Sequence, residues 1–207
     1  MNRAIALKLV GGLSDTEKMP GKSFGISASQ CKTGGKLAQI PGTVCSMCYA
    51  KKGHYAIFHH VINPAHERRL AAIGHPDWID AMVKALEKES WFRWFDSGDI
   101  QSTQMLLDIF EVCRRTPNTK HWLATRERRF LSSALTKSDV PDNLCIRVSA
   151  TYPDKPVKGI PGLQEANVHK DWSPVGHECP APKQHGRCDT CRACWDKSIQ
   201  TVSYKQH

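Results

Sequence analysis

Apolar residues recur along this chain with two different periods, and segments of the two kinds alternate. Residues 76–88 place Trp78, Met82 and Leu86 about one helical turn apart, which predicts an amphipathic helix. Residues 91–95 (WFRWF) are aromatic and typical of a strand. Further helices are predicted over residues 49–73 (interrupted at Asn63-Pro64), 101–115 and 129–136, and further strands over residues 1–15, 22–28, 121–125, 144–150 and 168–169.

The alternation of strands with helices of about 10 to 15 residues predicts βαβ units and a parallel sheet. The strands number about four to six, fewer than the eight of a full barrel. We therefore expect an α/β fold in which residues 1–170 form a partial (β/α) barrel and residues 171–207 form an irregular, cysteine-rich extension. Parallel α/β folds build their sites at the carboxyl ends of the strands, so the polar segments that follow the strands should converge at one rim.

The composition is that of an ordinary globular protein, with 40% hydrophobic and 24% charged residues among 207. No apolar stretch is long enough to cross a bilayer, and the N-terminus lacks a cleavage site for a signal peptide. We therefore expect a cytoplasmic protein without a membrane partner, in which clustered cysteines bind metal. A secreted disulfide protein is the alternative. The formal net charge of +9 favours an anionic partner such as nucleic acid, another anionic substrate or an acidic protein.

Seven of the nine cysteines fall into two groups with the spacing of metal ligands. We call Cys31, Cys45 and Cys48 the N-terminal cysteine site. The C-terminal cysteine site has the spacing C-x8-C-x2-C-x2-C and consists of Cys179, Cys188, Cys191 and Cys194. Thiolates select zinc, copper(I) or iron–sulfur clusters, and the tight C-x2-C-x2-C run favours a cluster over a zinc finger. We expect two [4Fe-4S] clusters, the first of which would keep one iron open.

Zinc is the alternative cofactor at both sites. At the N-terminal site, a histidine such as His54 could complete a zinc-binding set of three cysteines and one histidine. Four thiolates suit zinc equally well at the C-terminal site. The remaining cysteines, Cys113 on a helix face and Cys145 within a strand, are predicted to be small buried residues of the core.

The three N-terminal cysteines and the segments after the strands resemble radical S-adenosylmethionine enzymes, although thirteen residues separate Cys31 from Cys45. The resemblance implies that the open iron binds S-adenosylmethionine, which Met47 would contact from its place before Cys48. Residues 97–99 (Ser97, Gly98 and Asp99) stand where that family holds the methionine amino group. Ser149, at the end of a later strand, would contact the ribose.

The chain also resembles a bacteriophage family known as gene product 88. The resemblance is carried by Cys48-Tyr49-Ala50, Gly53-His54-Tyr55, Ser97-Gly98-Asp99, the run from Cys188 to Cys194, and His207. It implies a phage-encoded iron–sulfur protein in the host cytoplasm, and it implies no particular reaction.

Together these observations predict an iron–sulfur protein, and a radical S-adenosylmethionine-like redox enzyme acting on an anionic substrate is the enzymatic hypothesis. A host reductase or flavodoxin would then be its partner. Two alternatives stay open: a non-catalytic nucleic-acid or host-protein binding module with structural metal sites, and an electron-transfer protein.

Overall fold

Strands and helices alternate through most of the chain in the computed structural model, which describes residues 1–206. The helices are α1 (Arg3–Leu9), α2 (Lys32–Leu37), α3 (Gly53–Ile57), α4 (His59–Ala72), α5 (Trp78–Leu86), α6 (Thr103–Arg115) and α7 (Arg128–Leu135). The strands are β1 (Lys22–Phe24), β2 (Trp91–Trp94), β3 (Lys120–Thr125), β4 (Leu144–Ser149), β5 (Gln164–His169), β6 (His177–Glu178) and β7 (Thr201–Lys205). His207, which the family resemblance includes, lies outside the described residues.

These strands form one parallel sheet in the order β1-β2-β3-β4-β5-β7-β6. From β1 to β5, strands that follow one another in sequence are neighbours in the sheet, as in a (β/α) barrel and unlike a doubly wound sheet. No pairing between β1 and β6 closes the sheet within residues 1–206. The predicted α/β fold, a partial barrel with a cysteine-rich extension, is thus confirmed.

One face of the sheet packs against helices. The strands alternate sides, so Phe92, Leu123 and Ile146 point to this face from three neighbouring strands. The apolar stripes of α5 and α6 cover them, as the spacing of Trp78 and Met82 predicts. This layer is the main hydrophobic core. The helices of this layer do not cover the opposite face of the sheet.

The opposite face is covered by the C-terminal extension. Trp122 of β3 packs against Trp195 at a ring distance of 5.3 Å, and the Trp195 indole donates a hydrogen bond to the Phe92 carbonyl at 2.8 Å. The extension also supplies β6 and β7 to the sheet. The described part of the predicted extension, residues 171–206, is therefore continuous with the barrel sheet and also covers its second face.

Two local predictions are wrong, and one helix was not predicted. The segment predicted as a first strand, residues 1–15, instead contains α1, because the Asn2 side chain caps the helix by accepting a hydrogen bond from Ile5 N–H at 2.9 Å. The helical segment over residues 49–73 is interrupted at Phe58, and Pro64 lies inside α4. The helix α2, between the first two cysteines, was not predicted because its two glycines weaken the helical signal. No helix among residues 1–206 is long and apolar enough to cross a membrane.

Candidate metal centres

The N-terminal cysteines lie on a loop that crosses the carboxyl ends of β1 to β4. The loop leaves β1, and Thr33 at the start of α2 donates two hydrogen bonds of 2.7 Å to the buried Glu127 carboxylate, which follows β3. Further along, Val44 N–H bonds to the Thr151 carbonyl at 2.9 Å, beyond the end of β4. These anchors hold the loop against the rim where the sequence predicts the site.

The loop brings the thiols of Cys31 and Cys45 to a common gap beside Gly34. A Cβ atom on Gly34 would stand 3.5 Å from Cys45 Sγ and 3.7 Å from Cys31 Sγ. Cys48 is close enough for its charge to act on both of these thiols. The glycine therefore leaves the space between the sulfurs open, as an inorganic group bonded to both would require.

The electrostatics of this gap favour a bound cation. Burial is the largest cause that raises the pKa of the Cys31 thiol to about 12, and the negative charges of Asp99 and of the other thiolates contribute to the same rise. Burial also raises the pKa of Cys45, against the opposing charge of Arg126. The polypeptide alone thus keeps these thiols protonated, whereas a bound metal would displace the protons.

Asp99 joins the ends of two strands beside this gap. Its carboxylate accepts hydrogen bonds from Thr125 Oγ1 at 2.6 Å, Ile100 N–H at 2.8 Å and Arg126 N–H at 2.9 Å. Burial nevertheless raises its pKa to about 6. The following helix, α6, is capped by Ser102 rather than by Asp99. Three of the roughly four acceptor positions of the carboxylate are occupied, which leaves Asp99 one position for a ligand.

The other predicted cofactor contacts lie around the same rim. Met47 is partly exposed, and its sulfur accepts a hydrogen bond from the Gln206 amide at 3.2 Å. Ser97 is buried, and its hydroxyl has no hydrogen-bond partner within residues 1–206. Gly98 has φ +77°, and a Cβ there would stand 2.4 Å from Ile26 Cγ1, so the segment that follows β1 fills the space beside it. Ser149 is buried at the end of β4.

The four C-terminal cysteines line one narrow cleft, whose cavity volume is about 10 Å³. Two backbone hydrogen bonds of 2.8 Å fix this segment, from Cys179 N–H to the Ser203 carbonyl and from Cys188 N–H to the Lys18 carbonyl. Burial raises the pKa of the Cys194 thiol to about 12, and its sulfur lies 3.1 Å from the Tyr204 hydroxyl. His177 joins the lining, with Nε2 at 3.5 Å from Cys191 Sγ.

A buried arginine organises the C-terminal cysteine site. Arg147 of β4 is 0% exposed and forms no ion pair among the described residues. Its guanidinium donates to backbone carbonyls of the extension, including those of Ala193 at 2.7 Å and Cys194 at 3.1 Å. A buried cation without an anionic partner is costly. Thiolates bound to a metal would supply the missing negative charge.

A second arginine lies between the two cysteine sites. Arg93 of β2 stacks over the Trp122 ring at 4.5 Å and donates a hydrogen bond of 3.0 Å to Tyr49, the residue after Cys48. Its charge also acts on the thiols of Cys188 and Cys194. The Arg93 Nε atom has no hydrogen-bond partner in the described part of the chain. The sequence singled out neither Arg93 nor Arg147, because an arginine within an apolar strand carries no spacing signal.

The structure also settles smaller points. Cys113 and Cys145 are buried, as predicted. His54 is exposed, and its ring packs edge-on against Phe58 at 5.7 Å. Within residues 1–206, no three histidine, cysteine, aspartate or glutamate side chains converge closely enough to hold a single metal ion directly.

Comparison with known proteins gives one match. A sequence model described as gene product 88 matches residues 6–197, which is most of the chain. No curated protein and no solved structure matches the chain. The resemblance to radical S-adenosylmethionine enzymes therefore gains no support from these comparisons and stays a prediction.

Proposed function

The chain belongs to the gene product 88 family, and from that premise we propose that it is a phage-encoded iron–sulfur protein of the host cytoplasm. Its N-terminal cysteine site would hold a [4Fe-4S] cluster with one open iron, and its C-terminal cysteine site a second, fully ligated cluster. The open site would carry out one-electron chemistry on an anionic substrate, with S-adenosylmethionine as the cofactor.

The observation that carries this proposal is the arrangement of the seven cysteines. Three of them lie at the carboxyl-terminal rim, with a gap between Cys31 and Cys45 beside Gly34. The other four line one cleft on the face opposite the helices. Because the two sets occupy different places in the fold, they support two separate centres, one facing the rim and one covered by the extension.

The spacing of the C-terminal cysteines favours a cluster over zinc. Zinc bonds thiolate sulfur at about 2.3 Å, so that tetrahedrally placed sulfurs stand about 3.8 Å apart. A four-iron cluster bonds each thiolate to a different iron and spans a wider set of thiols. The tight C-x2-C-x2-C run is typical of cluster loops, and all four cysteines line the same cleft. The charge of Arg147, buried beside Cys194, supports a centre with net negative charge.

At the N-terminal site the chain supplies orientation and charge. A cluster bound there would supply electrons one at a time. Asp99 has one acceptor position left for the amino group of a bound cofactor. The partly exposed Arg126 guanidinium, held at the rim by a 2.9 Å bond from Nε to the Ala150 carbonyl, can bind a carboxylate or phosphate group of the substrate.

Counting iron, sulfide and zinc in anaerobically prepared protein tests the proposal. Wild type should be brown and contain about eight irons per chain, the content of two [4Fe-4S] clusters. Cys45→Ala and Cys191→Ala should each lose about half of the iron, because each change removes a ligand of one cluster. Cys113→Ala, in which a cysteine outside both sites is replaced, should retain all of it. Colourless protein containing zinc would refute the proposal and favour structural metal sites.

The cofactor is tested separately on iron-loaded protein. Under reducing, anaerobic conditions, added S-adenosylmethionine should yield 5′-deoxyadenosine in wild type and none in Cys45→Ala. If iron-loaded wild type neither binds nor cleaves S-adenosylmethionine while its two clusters are reduced reversibly, the protein is an electron-transfer module instead.

A further inference from the structure

The segment that carries the N-terminal cysteines contains no acidic residue. Between Glu17 and Glu67 there are 49 residues with six lysines, no arginine, no aspartate and no glutamate. This quarter of the chain therefore carries +6 of the formal net charge of +9. The excess positive charge of the protein is concentrated on the segment that builds the rim.

Part of this segment presents an exposed apolar patch. Ile57, Phe58 and Val61, at the junction of α3 and α4, are 63%, 47% and 61% exposed. Soluble proteins rarely leave large side chains clustered in solvent unless the cluster binds something. Exposed cationic or titratable side chains flank the patch in sequence, namely Lys51, Lys52, His54, His59 and His60. An apolar centre with a charged rim is the composition of a protein interface.

The patch adjoins the N-terminal cysteine site. Tyr49 follows Cys48 directly and is about half exposed. Its ring lies 6.0 Å from the ring of Tyr55, which belongs to α3. Through these two tyrosines, a partner bound to the patch would lie beside the cysteine loop.

The residue types distinguish between two classes of anionic partner. Nucleic-acid sites use arginine for phosphates and aromatic rings for bases, whereas this segment has no arginine and its patch includes the aliphatic side chains of Ile57 and Val61. An acidic protein with an apolar centre fits both features. Charge complementarity of this kind speeds association and orients the partner.

We propose that the exposed segment 51–61, with the cations Lys51 and Lys52 and the apolar Ile57, Phe58 and Val61, is the docking surface for a small acidic protein that carries single electrons. This inference rests on the proposed function, since it gives the cysteine site its electron donor. The docked carrier is oxidised by one electron, the N-terminal site is reduced by one electron, and no covalent bond changes. Complexes of this kind have small, weak interfaces.

Titration with oxidised flavodoxin, an acidic flavin protein, tests the inference. Binding should saturate with a dissociation constant in the micromolar range and weaken as salt rises from about 50 mM to about 500 mM. The double variant K51E/K52E should bind at least tenfold more weakly, and so should I57S/F58S, which leaves the charge unchanged. The matched control K88E/K120E makes the same charge change on exposed lysines near the amino ends of β2 and β3, and it should bind like wild type.

Four results would overturn the inference: no saturable binding, equal weakening by both charge-reversal variants, full affinity in I57S/F58S, or binding of a single-stranded oligonucleotide in place of flavodoxin. The iron content of the same samples separates this inference from the proposed function. Iron-loaded protein that does not bind flavodoxin refutes the docking surface alone. Iron-free protein that binds it at this face refutes the proposed function and supports the surface.

Discussion

Replacing Gly34 by alanine tests the N-terminal site without removing a ligand. The added methyl group would stand 3.1 Å from Cys31 Cβ, 3.5 Å from Cys45 Sγ and 3.7 Å from Cys31 Sγ. The two sulfur distances are ordinary contacts, and the first requires only a small adjustment. The methyl group would occupy the gap in which a group bonded to both sulfurs has to stand.

The metal-free protein should tolerate this change. Gly34 lies within α2 and is not among the glycines with positive φ, so alanine is compatible with its backbone. Alanine favours an exposed helix by about 1 kcal/mol relative to glycine. The free energy of unfolding should therefore stay level or rise by up to about 1 kcal/mol, and any loss of iron cannot be attributed to misfolding.

The neighbouring residue provides the control. A Cβ on Gly35, also in α2, would meet no atom within 4 Å, so Gly35→Ala gains the same helix propensity without entering the gap. After anaerobic reconstitution, Gly34→Ala should retain about four irons per chain, and Gly35→Ala about eight, as in wild type. Equal iron contents in the two variants would refute the assignment of the gap to a metal centre.

Three further predictions concern stability. Arg147→Met should lower the free energy of unfolding by about 3 kcal/mol or more, because it leaves several buried carbonyls of the extension without donors. Urea unfolding measures this change. The control Arg129→Met, at an exposed arginine, should change the free energy of unfolding little. Burial lowers the pKa of His121 to about 3, whereas a histidine in the unfolded state has a pKa of about 6.5. As the pH falls, the unfolded state therefore binds a proton at this residue before the folded state does. The contribution of His121 to the free energy of unfolding is complete above pH 6.5 and decreases towards pH 3, by about 2 kcal/mol at pH 5. In His121→Asn, the free energy of unfolding should depend less on pH in this range. An unchanged pH dependence would contradict the reasoning. Asn2→Ala should cost about 1 kcal/mol through loss of the α1 cap, measured by thermal unfolding.

The sequence predicts most of the helical and strand core because its periodic segments are long. The amphipathic pattern around Trp78 and Met82 locates α5, and the aromatic run over residues 91–95 locates β2 within one residue. These patterns mark the residues on the buried face of a helix or strand, and the same residues are buried in the folded structure. The order of the first four strands follows from the same alternation, since helices return the chain to the adjacent strand each time.

The short elements were not predictable in the same way. Helix α1 depends on one capping side chain, that of Asn2, and β6 has only two residues that pair with β7. The pairing of β7 with β5 and β6 joins segments that are distant in sequence, and no local sequence pattern predicts it. Cysteine spacing predicts two groups of thiols, but it contains no information on Glu127 or Arg147, whose partners are distant in sequence.

The position of β7 inside the sheet, between β5 and β6, bears on the order in which the protein can fold during synthesis. Until residues 193–205 have left the ribosome, Arg147 lacks most of the carbonyls that it binds, and Trp122 has no second layer over it. Domains usually fold from the N-terminus as they emerge, but here the nascent barrel must wait for its last strand. We expect limited proteolysis of stalled nascent chains to show protection only once β7 has emerged from the exit tunnel.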